Sequence, residues 1–529
     1  MLVKLTKIFL LITFSYQISL IGQKKEIVAY YPRWGAQYQN YFLKNLKTSG
    51  SAGKITVLIY SFAFPSPDST GKIVVRTLNP KFDYEQTYSA DMSIDGVADD
   101  STQPLKGQFN QLKKLKSEYP SLKILLSIGG WGGGTYFSDA ALTSESRKIF
   151  VDDCINKYIL GNISTDSTGI RKGIAAGIFD GFDIDWEFPV KGGPEGTHNS
   201  INDKENLTKL LASFREKLDE INPNLILTNA VAAGKPNLDN FDIINDQKYL
   251  NWFNIMTYDF HGSWDKTTAH HTNLLSSPED TTDNGAEQSF NKTVKYFIDS
   301  LDVNTNKIVP GAAFYGKCWF NVDSMNNGLY QTGTDSAEST EKGLGNFSNF
   351  YNLQSNGYKY YWDYLAMAPW LYNPRKKIFW TFDDEKSIAL KSRYVDAYNL
   401  RGLMFWEISE DDSTGTLVNT IYTRNMPNIK IHKTHRSKSI PLIKITQPKS
   451  TCAFSAGSNI IINTNEIDRK SSIIKVEFFG DNFSLGYDTK APFDWVWFNV
   501  QQGRHKIKAT ATDKNGNIKT SKEVTINIY

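Results

Sequence analysis

Short apolar runs recur eight times before residue 410, and stretches with helical periodicity separate many of them. The runs cover residues 26–31, 54–64, 122–131, 178–189, 225–231, 252–259, 307–315 and 402–407. Alternating strands and helices are typical of α/β folds with a parallel sheet. Eight such units over roughly 400 residues predict a closed (β/α)8 TIM barrel with insertions. An open doubly wound sheet is the alternative, but no Gly-x-Gly-x-x-Gly turn follows the first run.

The fourth run carries an unusual row of acidic residues. Asp183, Asp185 and Glu187 alternate along it with aromatic and aliphatic residues. Successive side chains of a strand point to opposite faces, so the three carboxyl groups share one face. Like charges this close cannot all ionise, and at least one proton should be held above its ordinary pKa. A protonated acid beside an ionised one indicates acid–base catalysis. A solvated acidic face or a cation site is the alternative, and the intervening apolar residues argue against both.

The segment DGFDIDWE at residues 180–187 resembles the D-G-x-D-x-D-x-E signature of family 18 glycoside hydrolases, the chitinases and their relatives. The resemblance covers residues 26 to about 412 and includes SIGGW at 127–131, MTYD at 256–259, GAAFYG at 311–316 and GLMFWE at 402–407. It implies a TIM barrel whose chemistry lies at the carboxyl ends of the strands. One departure is Lys317, where the family usually has arginine.

The resemblance also implies a mechanism and the residues that carry it. In this family the 2-acetamido group of the substrate acts as the nucleophile. The implied catalytic residues are Glu187 as general acid and then base, Asp185 as acceptor of the acetamide N–H, Asp183 as a deeper carboxyl sharing a proton with Asp185, and Tyr258 as donor to the acetamide oxygen.

Further residues are expected to bind the substrate or support the acidic row. Trp406 should form the floor of the sugar site, and the other expected contacts are Asp259, Met256, Trp34, Trp131, Trp264 and Tyr315. Each aromatic residue outside the floor has plain packing as an alternative. Asp180 is an odd number of residues from Asp183, so we expect it to face the opposite side in a structural role. The expected supports of the row are Ser127, Gly129 and Gly130, where glycine leaves room for close approach.

About 80 residues separate the seventh and eighth runs, far more than a usual connection. In the resembling family this position holds a small α+β insertion that walls one side of a deep groove. We expect it at about residues 320–385. Its tryptophan and tyrosine residues include Trp362, Trp370, Tyr372 and Trp380.

A chain of 529 residues exceeds what one core usually supports, so more than one domain is expected. We expect the barrel domain at residues 23–425 and a basic linker at 426–441, a solvated tether rather than a binding patch. Residues 442–529 alternate in short strands, which predicts an all-β immunoglobulin-like sandwich. They also resemble bacterial Ig-like modules of secreted carbohydrate-active enzymes. Phe493, Trp495 and Trp497 would share one strand face, as core or as a polysaccharide grip.

The chain ends and composition bound the setting. Residues 1–22 have the build of a signal peptide, with a retained buried helix as the alternative, so we expect a secreted, extracellular protein. A net charge of +3 indicates neither a nucleic-acid nor a membrane partner. Three widely spaced cysteines predict buried thiols, no disulfide framework and no zinc site. We expect no metal, no cofactor and a monomer.

The expected function is hydrolysis of the β-1,4 linkages between N-acetylglucosamine units of chitin. An endo-β-N-acetylglucosaminidase acting on N-glycans is one alternative, since it would use the same residues. A non-catalytic chitinase-like lectin is another, but such relatives typically lack the acid that Glu187 supplies.

Overall fold

The computed structural model describes residues 25–77, 79–165, 169–334, 344–427, 441–466 and 473–529. The expected signal peptide and most of the expected linker lie outside these residues. Within the described ranges, no helix combines the length and the apolar character that a membrane span requires.

Sixteen strands lie in the described residues before 428. In chain order they are β1 (Glu26–Pro32), β2 (Val57–Pro67), β3 (Ile73–Thr77), β4 (Lys123–Gly129), β5 (Ile163–Thr165), β6 (Gly169–Arg171), β7 (Gly181–Asp185), β8 (Ile226–Ala232), β9 (Trp252–Met256), β10 (Ile308–Ala313), β11 (Tyr315–Trp319), β12 (Leu344–Asn346), β13 (Lys359–Asp363), β14 (Ala368–Asn373), β15 (Ile378–Phe382) and β16 (Gly402–Trp406).

Eight of these strands close a parallel barrel in the order β1, β2, β4, β7, β8, β9, β10 and β16, and β16 pairs back with β1. Ala29 shows the closure, because it lies opposite Leu58 of β2 and Phe405 of β16. Strand β3 adds to β2 in the antiparallel sense. The predicted TIM barrel is therefore confirmed.

The α-helices of the described residues are α1 (Gly35–Tyr38), α2 (Leu43–Thr48), α3 (Gly107–Glu118), α4 (Phe137–Ala141), α5 (Ser144–Cys154), α6 (Asp203–Ile221), α7 (Lys235–Leu238), α8 (Ile243–Asp246), α9 (Phe290–Lys295), α10 (Phe347–Ser355), α11 (Glu385–Ala397) and α12 (Thr416–Thr423). Helix α6 illustrates how they cover the barrel, since its apolar residues recur every three or four positions. Its buried side chains include Leu207, Leu210, Leu211, Phe214 and Leu218. Burying each contributes about 1.5–3 kcal/mol.

A five-stranded antiparallel sheet lies between barrel strands β10 and β16 in the chain. Its strand order is β12, β11, β15, β14, β13, and we call it the insertion sheet. The seventh apolar run, expected to be one strand over 307–315, is divided between two sheets. Strand β10 ends at Ala313, and Tyr315 opens β11 opposite Asn346 of the insertion sheet.

The C-terminal module, residues 441–529, is all β in its described part. Its strands are β17 (Ile443–Gln447), β18 (Ala453–Phe454), β19 (Ser458–Glu466), β20 (Ile473–Gly480), β21 (Phe483–Asp488), β22 (Asp494–Val500), β23 (Gly503–Asp513), β24 (Ile518–Thr520) and β25 (Val524–Ile528). They form a three-stranded sheet, β17, β19 and β22, and a six-stranded sheet. The two sheets face each other across a core in which Trp495 stacks on Phe478.

The structure decides between two alternatives for the module's aromatic residues and changes one expectation about cysteine. Phe493 and Trp495 are buried and form core, the first of the two alternatives, and Trp497 is half-buried. A two-sheet sandwich needs an apolar inner face, and these rings supply it. None of the three cysteines forms a disulfide, but Cys452 is only half-buried, whereas Cys154 and Cys318 are buried as predicted. Cys452 lies just before the two-residue edge strand β18, where little chain covers it.

Candidate active site

The acidic row lies at the carboxyl end of barrel strand β7. Asp183 and Asp185 are buried inside the barrel, and Glu187 follows the strand and is half-buried at its rim. The intervening residues face the helices, since Phe182 and Trp186 are buried there and Trp186 stacks on Phe137 of α4. The predicted alternation is confirmed, and it sets three carboxyl groups along one line from core to solvent.

Asp183 forms the deep end of the row and has a full set of hydrogen-bond donors. Its two oxygens accept from Tyr30 Oη at 3.0 Å, Ser127 Oγ at 2.9 Å, Thr228 Oγ1 at 2.6 Å and Asn254 Nδ2 at 3.0 Å. Burial raises the pKa of Asp183, while these hydrogen bonds act to lower it. Four donors satisfy the lone pairs that an ionised carboxylate offers. Ser127 supports the row, as the sequence indicated.

Asp185 occupies the middle of the row with far fewer partners. Its Oδ1 atom is buried and accepts no hydrogen bond within the described residues. Burial, followed by the charges of Glu187 and Asp183, raises the pKa of Asp185 well above its ordinary value. No hydrogen bond joins the Asp183 and Asp185 carboxyl groups in the described part of the chain, so the sharing of a proton between them stays a prediction. An unpartnered carboxyl oxygen here is ready to accept a ligand N–H.

Glu187 has the properties of a general acid. Burial, and then the charge of Asp259, raises the pKa of Glu187 to about 8. The carboxyl group therefore keeps its proton at neutral pH, although it lies at the solvent end of the row. Proton donors in catalysis work best when their pKa is near the operating pH.

Two glycines on β4 and its end allow the backbone to approach the row closely. Gly129 has φ +114°, and a Cβ atom there would lie 2.0 Å from the carbonyl oxygen of Asp185. The N–H of Gly130 donates to the same oxygen at 2.8 Å. A larger residue at Gly129 would push β4 away from β7, and one at Gly130 would clash with the Phe62 ring, 2.6 Å from its Cβ. Both clashes fit the supporting role expected for the two positions.

Asp180 faces away from the barrel interior, as its odd spacing predicts. Its carboxylate accepts hydrogen bonds from Lys116 Nζ at 2.7 Å and from the backbone N–H of Ile124 at 2.9 Å. It therefore ties the start of β7 to β4 and to helix α3 and has no contact with the acidic row.

Tyr258 lies at the end of the sixth barrel strand, beside the row. Its ring is buried, and its hydroxyl contacts the sulfur of Met404 at 3.8 Å, a weak partner. Burial, and then the charge of Asp185, raises the pKa of Tyr258 well above its ordinary value. The hydroxyl therefore stays protonated and can donate to a ligand. Gly311 leaves the space, because a Cβ there would lie 2.7 Å from the tyrosine ring.

Asp259 points toward the site although strand alternation predicts the opposite. Strand β9 ends at Met256, and Asp259 adopts a left-handed backbone with φ +57°, so the alternation no longer applies. Its carboxylate accepts from Tyr315 Oη and lies 3.1 Å from Lys317 Nζ. Burial acts to raise the pKa of Asp259, but the His271 ring and the Lys317 ammonium outweigh it and lower the pKa to about 2.

Comparison with known proteins agrees with this geometry. The pattern of glycosyl hydrolases family 18 matches residues 26–411, which include the whole barrel and the insertion sheet. The chain belongs to glycosyl hydrolases family 18. A bacterial Ig domain matches residues 441–522, within the C-terminal module.

Individual relatives are similar across the barrel. Chitinase A1 of Niallia circulans is 33% identical over an alignment of 423 residues that covers 73% of this chain and 56% of that protein. The chain therefore matches only a little over half the length of that relative. The catalytic domain of the psychrophilic chitinase B from Arthrobacter TAD20 is 31% identical, covers 76% of this chain and 95% of that domain, and has a TM-score of 0.69. A family 18 N-acetylglucosaminidase from Paenibacillus barengoltzii is 28% identical, covers 76% of this chain and 100% of its own, and has a TM-score of 0.58.

The family 18 barrel of this chain has an aromatic floor around Trp406. The Trp406 ring stacks on Phe62 with centroids 5.6 Å apart, and Trp34 and Tyr30 lie beside it at 6.1 and 5.5 Å. Both Trp406 and Trp34 are half-buried, so part of each ring remains open. Flat rings of this kind can pack against the apolar face of a sugar. Met256 is half-buried against the same interior cluster.

The other aromatic candidates divide into two groups. Trp131 and Trp264 are 67% and 60% exposed, which is unusual for such large rings and leaves both open to a ligand. Tyr315, in contrast, is buried, its ring meets Tyr258 edge to face, and its hydroxyl binds Asp259. For Tyr315 the structure therefore favours packing, the alternative to stacking, because β11 places its hydroxyl against Asp259.

Several residues of this family 18 site are not predicted from the sequence. They are the Asp183 donors Tyr30, Thr228 and Asn254, together with Lys317 as the partner of Asp259. Thr228 and Asn254 interrupt otherwise apolar strands at inward positions, a signal that was present in the sequence. Within the described ranges, no group of three His, Cys, Asp or Glu side chains is arranged to hold a metal ion.

Proposed function

We propose that the protein is a secreted, monomeric chitinase that cleaves β-1,4 linkages between N-acetylglucosamine units with retention of configuration. The observation that carries the proposal is the grouping of Glu187, whose pKa is raised to about 8, with an oxygen of Asp185 that accepts no hydrogen bond from the described residues and with the Tyr258 hydroxyl, which has only a weak sulfur partner. An acid, an acceptor for N–H and a donor for C=O are the groups that a substrate-assisted mechanism requires. Similarity to chitinases from Niallia and Arthrobacter supports the substrate.

In the first step Glu187 donates its proton to the glycosidic oxygen, and the bond from that oxygen to C1 breaks. The acetamide carbonyl oxygen of the same sugar attacks C1 and closes an oxazolinium ring. Asp185 accepts the acetamide N–H and stabilises the positive charge that develops on the nitrogen. Tyr258 donates to the acetamide oxygen and orients it toward C1.

In the second step Glu187, now ionised, takes a proton from a water molecule. The resulting hydroxide attacks C1 on the face that the leaving sugar vacated, and the oxazolinium ring opens to restore the acetamide. Two inversions give net retention, so the fresh product is the β-anomer.

The exposed tryptophans Trp131 and Trp264 favour an extended polysaccharide over a branched N-glycan, since rings at the rim offer stacking positions beyond the cleaved sugar. Secretion is proposed from the signal-like residues 1–22.

The experiment compares release of sugars from colloidal chitin with release of glycans from a high-mannose glycoprotein. We expect chitin oligomers from the first substrate and no cleavage of the second. Proton NMR of freshly cleaved chitohexaose should show the β-anomer. Cleavage of the glycoprotein alone would favour the endo-β-N-acetylglucosaminidase, and inertness toward both would favour the lectin.

A further inference from the structure

The insertion sheet extends from the active site to the C-terminal module. Its strand β11 carries Tyr315 and Lys317, which both contact the Asp259 carboxylate. Strands β15 and β14 follow, and β13 forms the opposite edge. Hydrogen bonding across neighbouring strands makes such a sheet move as one body. Whatever fixes β13 therefore also fixes the two residues that hold Asp259.

The C-terminal module holds β13 through a buried side chain. Trp362 of β13 donates its Nε1–H to the Asp494 carboxylate of module strand β22 at 2.8 Å. Tyr360, on the same strand, donates to Asp384, and Lys490 of the module lies 3.2 Å from that carboxylate. Trp362 thus contacts the module directly, and Tyr360 contacts it through Asp384.

Lys386 of helix α11 completes this junction. Its ammonium group lies 2.8 Å from Asp488 and also contacts Asp494, and the side chain is buried. The ammonium lies 4.1 Å from the centroid of the Trp362 ring. Burying a lysine is unfavourable unless opposite charges surround it. Burial acts to lower the pKa of Lys386, but Asp488 and Asp494 outweigh it and raise the pKa, so the lysine keeps its charge.

A second route leads from β13 to the active site. Asp363, the next residue after Trp362, lies 3.3 Å from His270 Nε2. The following residue, His271, lies 3.7 Å from Asp259. The segment after β9 is therefore attached to the same edge strand that the module holds.

We propose that the C-terminal module is a positioning element of the catalytic groove, which acts by fixing β13 and, through the insertion sheet, the Lys317–Asp259 pair. An independent appended domain would meet the barrel through a small, hydrated contact. Here the contact is a buried set of ion pairs, and the module's Trp495 is used as core. The functional part of this proposal rests on the proposed chitinase activity.

The test uses the full chain and two variants of the junction. Lys386→Met leaves Asp488 and Asp494 buried without their cation. Trp362→Phe keeps the charges and removes the N–H that Asp494 accepts, together with part of the ring over Lys386. Scanning calorimetry should show one transition for the wild type and a separate, earlier transition for Lys386→Met. At temperatures below that transition, kcat/KM on chitohexaose should fall about tenfold for Lys386→Met and about threefold for Trp362→Phe.

Matched controls separate positioning from general damage. Lys508→Met and Trp497→Phe change the same residue types on the module away from the junction, and both should keep wild-type kcat/KM. The double variant Lys386→Met with Asp494→Asn keeps the net charge of the wild-type junction, because one carboxylate is removed with the ammonium, and should recover most of the lost activity.

Two outcomes contradict the proposal, and a third contradicts only the proposed function. Unchanged kcat/KM in a variant whose module melts separately would exclude the positioning role. A single unchanged transition for both variants would exclude the junction itself, and this readout still applies if Lys386→Met fails to fold, because Trp362→Phe is milder. Inactivity of the wild type on chitohexaose would overturn the proposed function alone, since calorimetry tests the junction without substrate.

Discussion

Two buried groups of three ionisable residues stabilise very different parts of this molecule. The acidic row at the barrel mouth contains only carboxyl groups, whereas the junction with the C-terminal module combines Lys386 with Asp488 and Asp494. In the row, burial and like charges raise the pKa of Asp185, and its Oδ1 accepts no hydrogen bond from the described residues. In the junction the Lys386 ammonium contacts both carboxyl groups. Carboxyl groups without a cation hold protons for chemistry, whereas carboxyl groups that share a cation hold two domains together.

A raised pKa alone does not distinguish the two groups. Burial raises the pKa of Asp488 to about 7, with the Lys386 ammonium acting against it, and raises that of Glu187 to about 8. The difference is access, because Asp488 is fully buried while Glu187 is half-exposed at the rim. A perturbed carboxyl group indicates catalysis only where a substrate can reach it.

The change that most sharply tests the comparison is Glu187→Gln. It keeps the shape of the side chain and removes the proton that the row holds, so we expect kcat on chitohexaose to fall by about 10³-fold or more. Circular dichroism should be unchanged. The isosteric control Asp488→Asn, at the junction, should keep kcat within about threefold, because its proton takes no part in the reaction. Near-normal turnover by Glu187→Gln would show that the row does not supply the acid.

Tyr258→Phe tests the difference between an available and an occupied hydroxyl within the row. Removing one donor from a preorganised site typically costs about 10²–10³ in kcat, and we expect a loss of this size. Tyr30→Phe is the matched control, since the Tyr30 hydroxyl is already bound to Asp183, which keeps three other donors. Its kcat should fall less than about tenfold. Equal losses in both variants would contradict the direct role of Tyr258.

Lys317→Met removes the cation that pairs with the Asp259 carboxylate. Without the ammonium 3.1 Å away, the pKa of Asp259 should rise from about 2, and kcat/KM should fall by about tenfold, or ~1.4 kcal/mol. The acidic limb of the pH profile should move to higher pH. Lys317→Arg retains the charge and should keep the limb in place. An unchanged limb in Lys317→Met would mean that His271 and Tyr315 suffice to hold Asp259 ionised.

The two regions also differ in how far the sequence reveals them. The barrel strands follow from their short apolar runs, because strands of a parallel sheet are buried on both faces. The alternation of the acidic row follows from the period of two, because a strand repeats its faces every second residue. The direction of the Asp259 side chain does not follow from this alternation, because β9 ends at Met256 and Asp259 itself has a left-handed backbone. The junction was not predicted at all. Lys386 and Asp494 are 108 residues apart, and their contact depends on how a barrel helix packs against a strand of the module.

The smallest expected effect is on the free energy of unfolding. Substitution should raise it in the acidic row and lower it in the junction. The folded-state pKa of Glu187 is about 8, whereas an unfolded glutamate titrates near 4.3, so the unfolded chain loses this proton first as pH rises. Below about pH 4 the group is neutral in both states and costs nothing. Between these values the cost of keeping it protonated grows with pH. Glu187→Gln removes that cost, and because the side chain is half-exposed we expect a gain of only about 1–2 kcal/mol at pH 8.

Lys386→Met should instead lose stability at every pH where Asp494 is ionised. Thermal unfolding of both variants at pH 4 and pH 8 measures the contrast, and a Glu187→Gln advantage that is no larger at pH 8 than at pH 4 would show that the row does not hold its proton in the folded state.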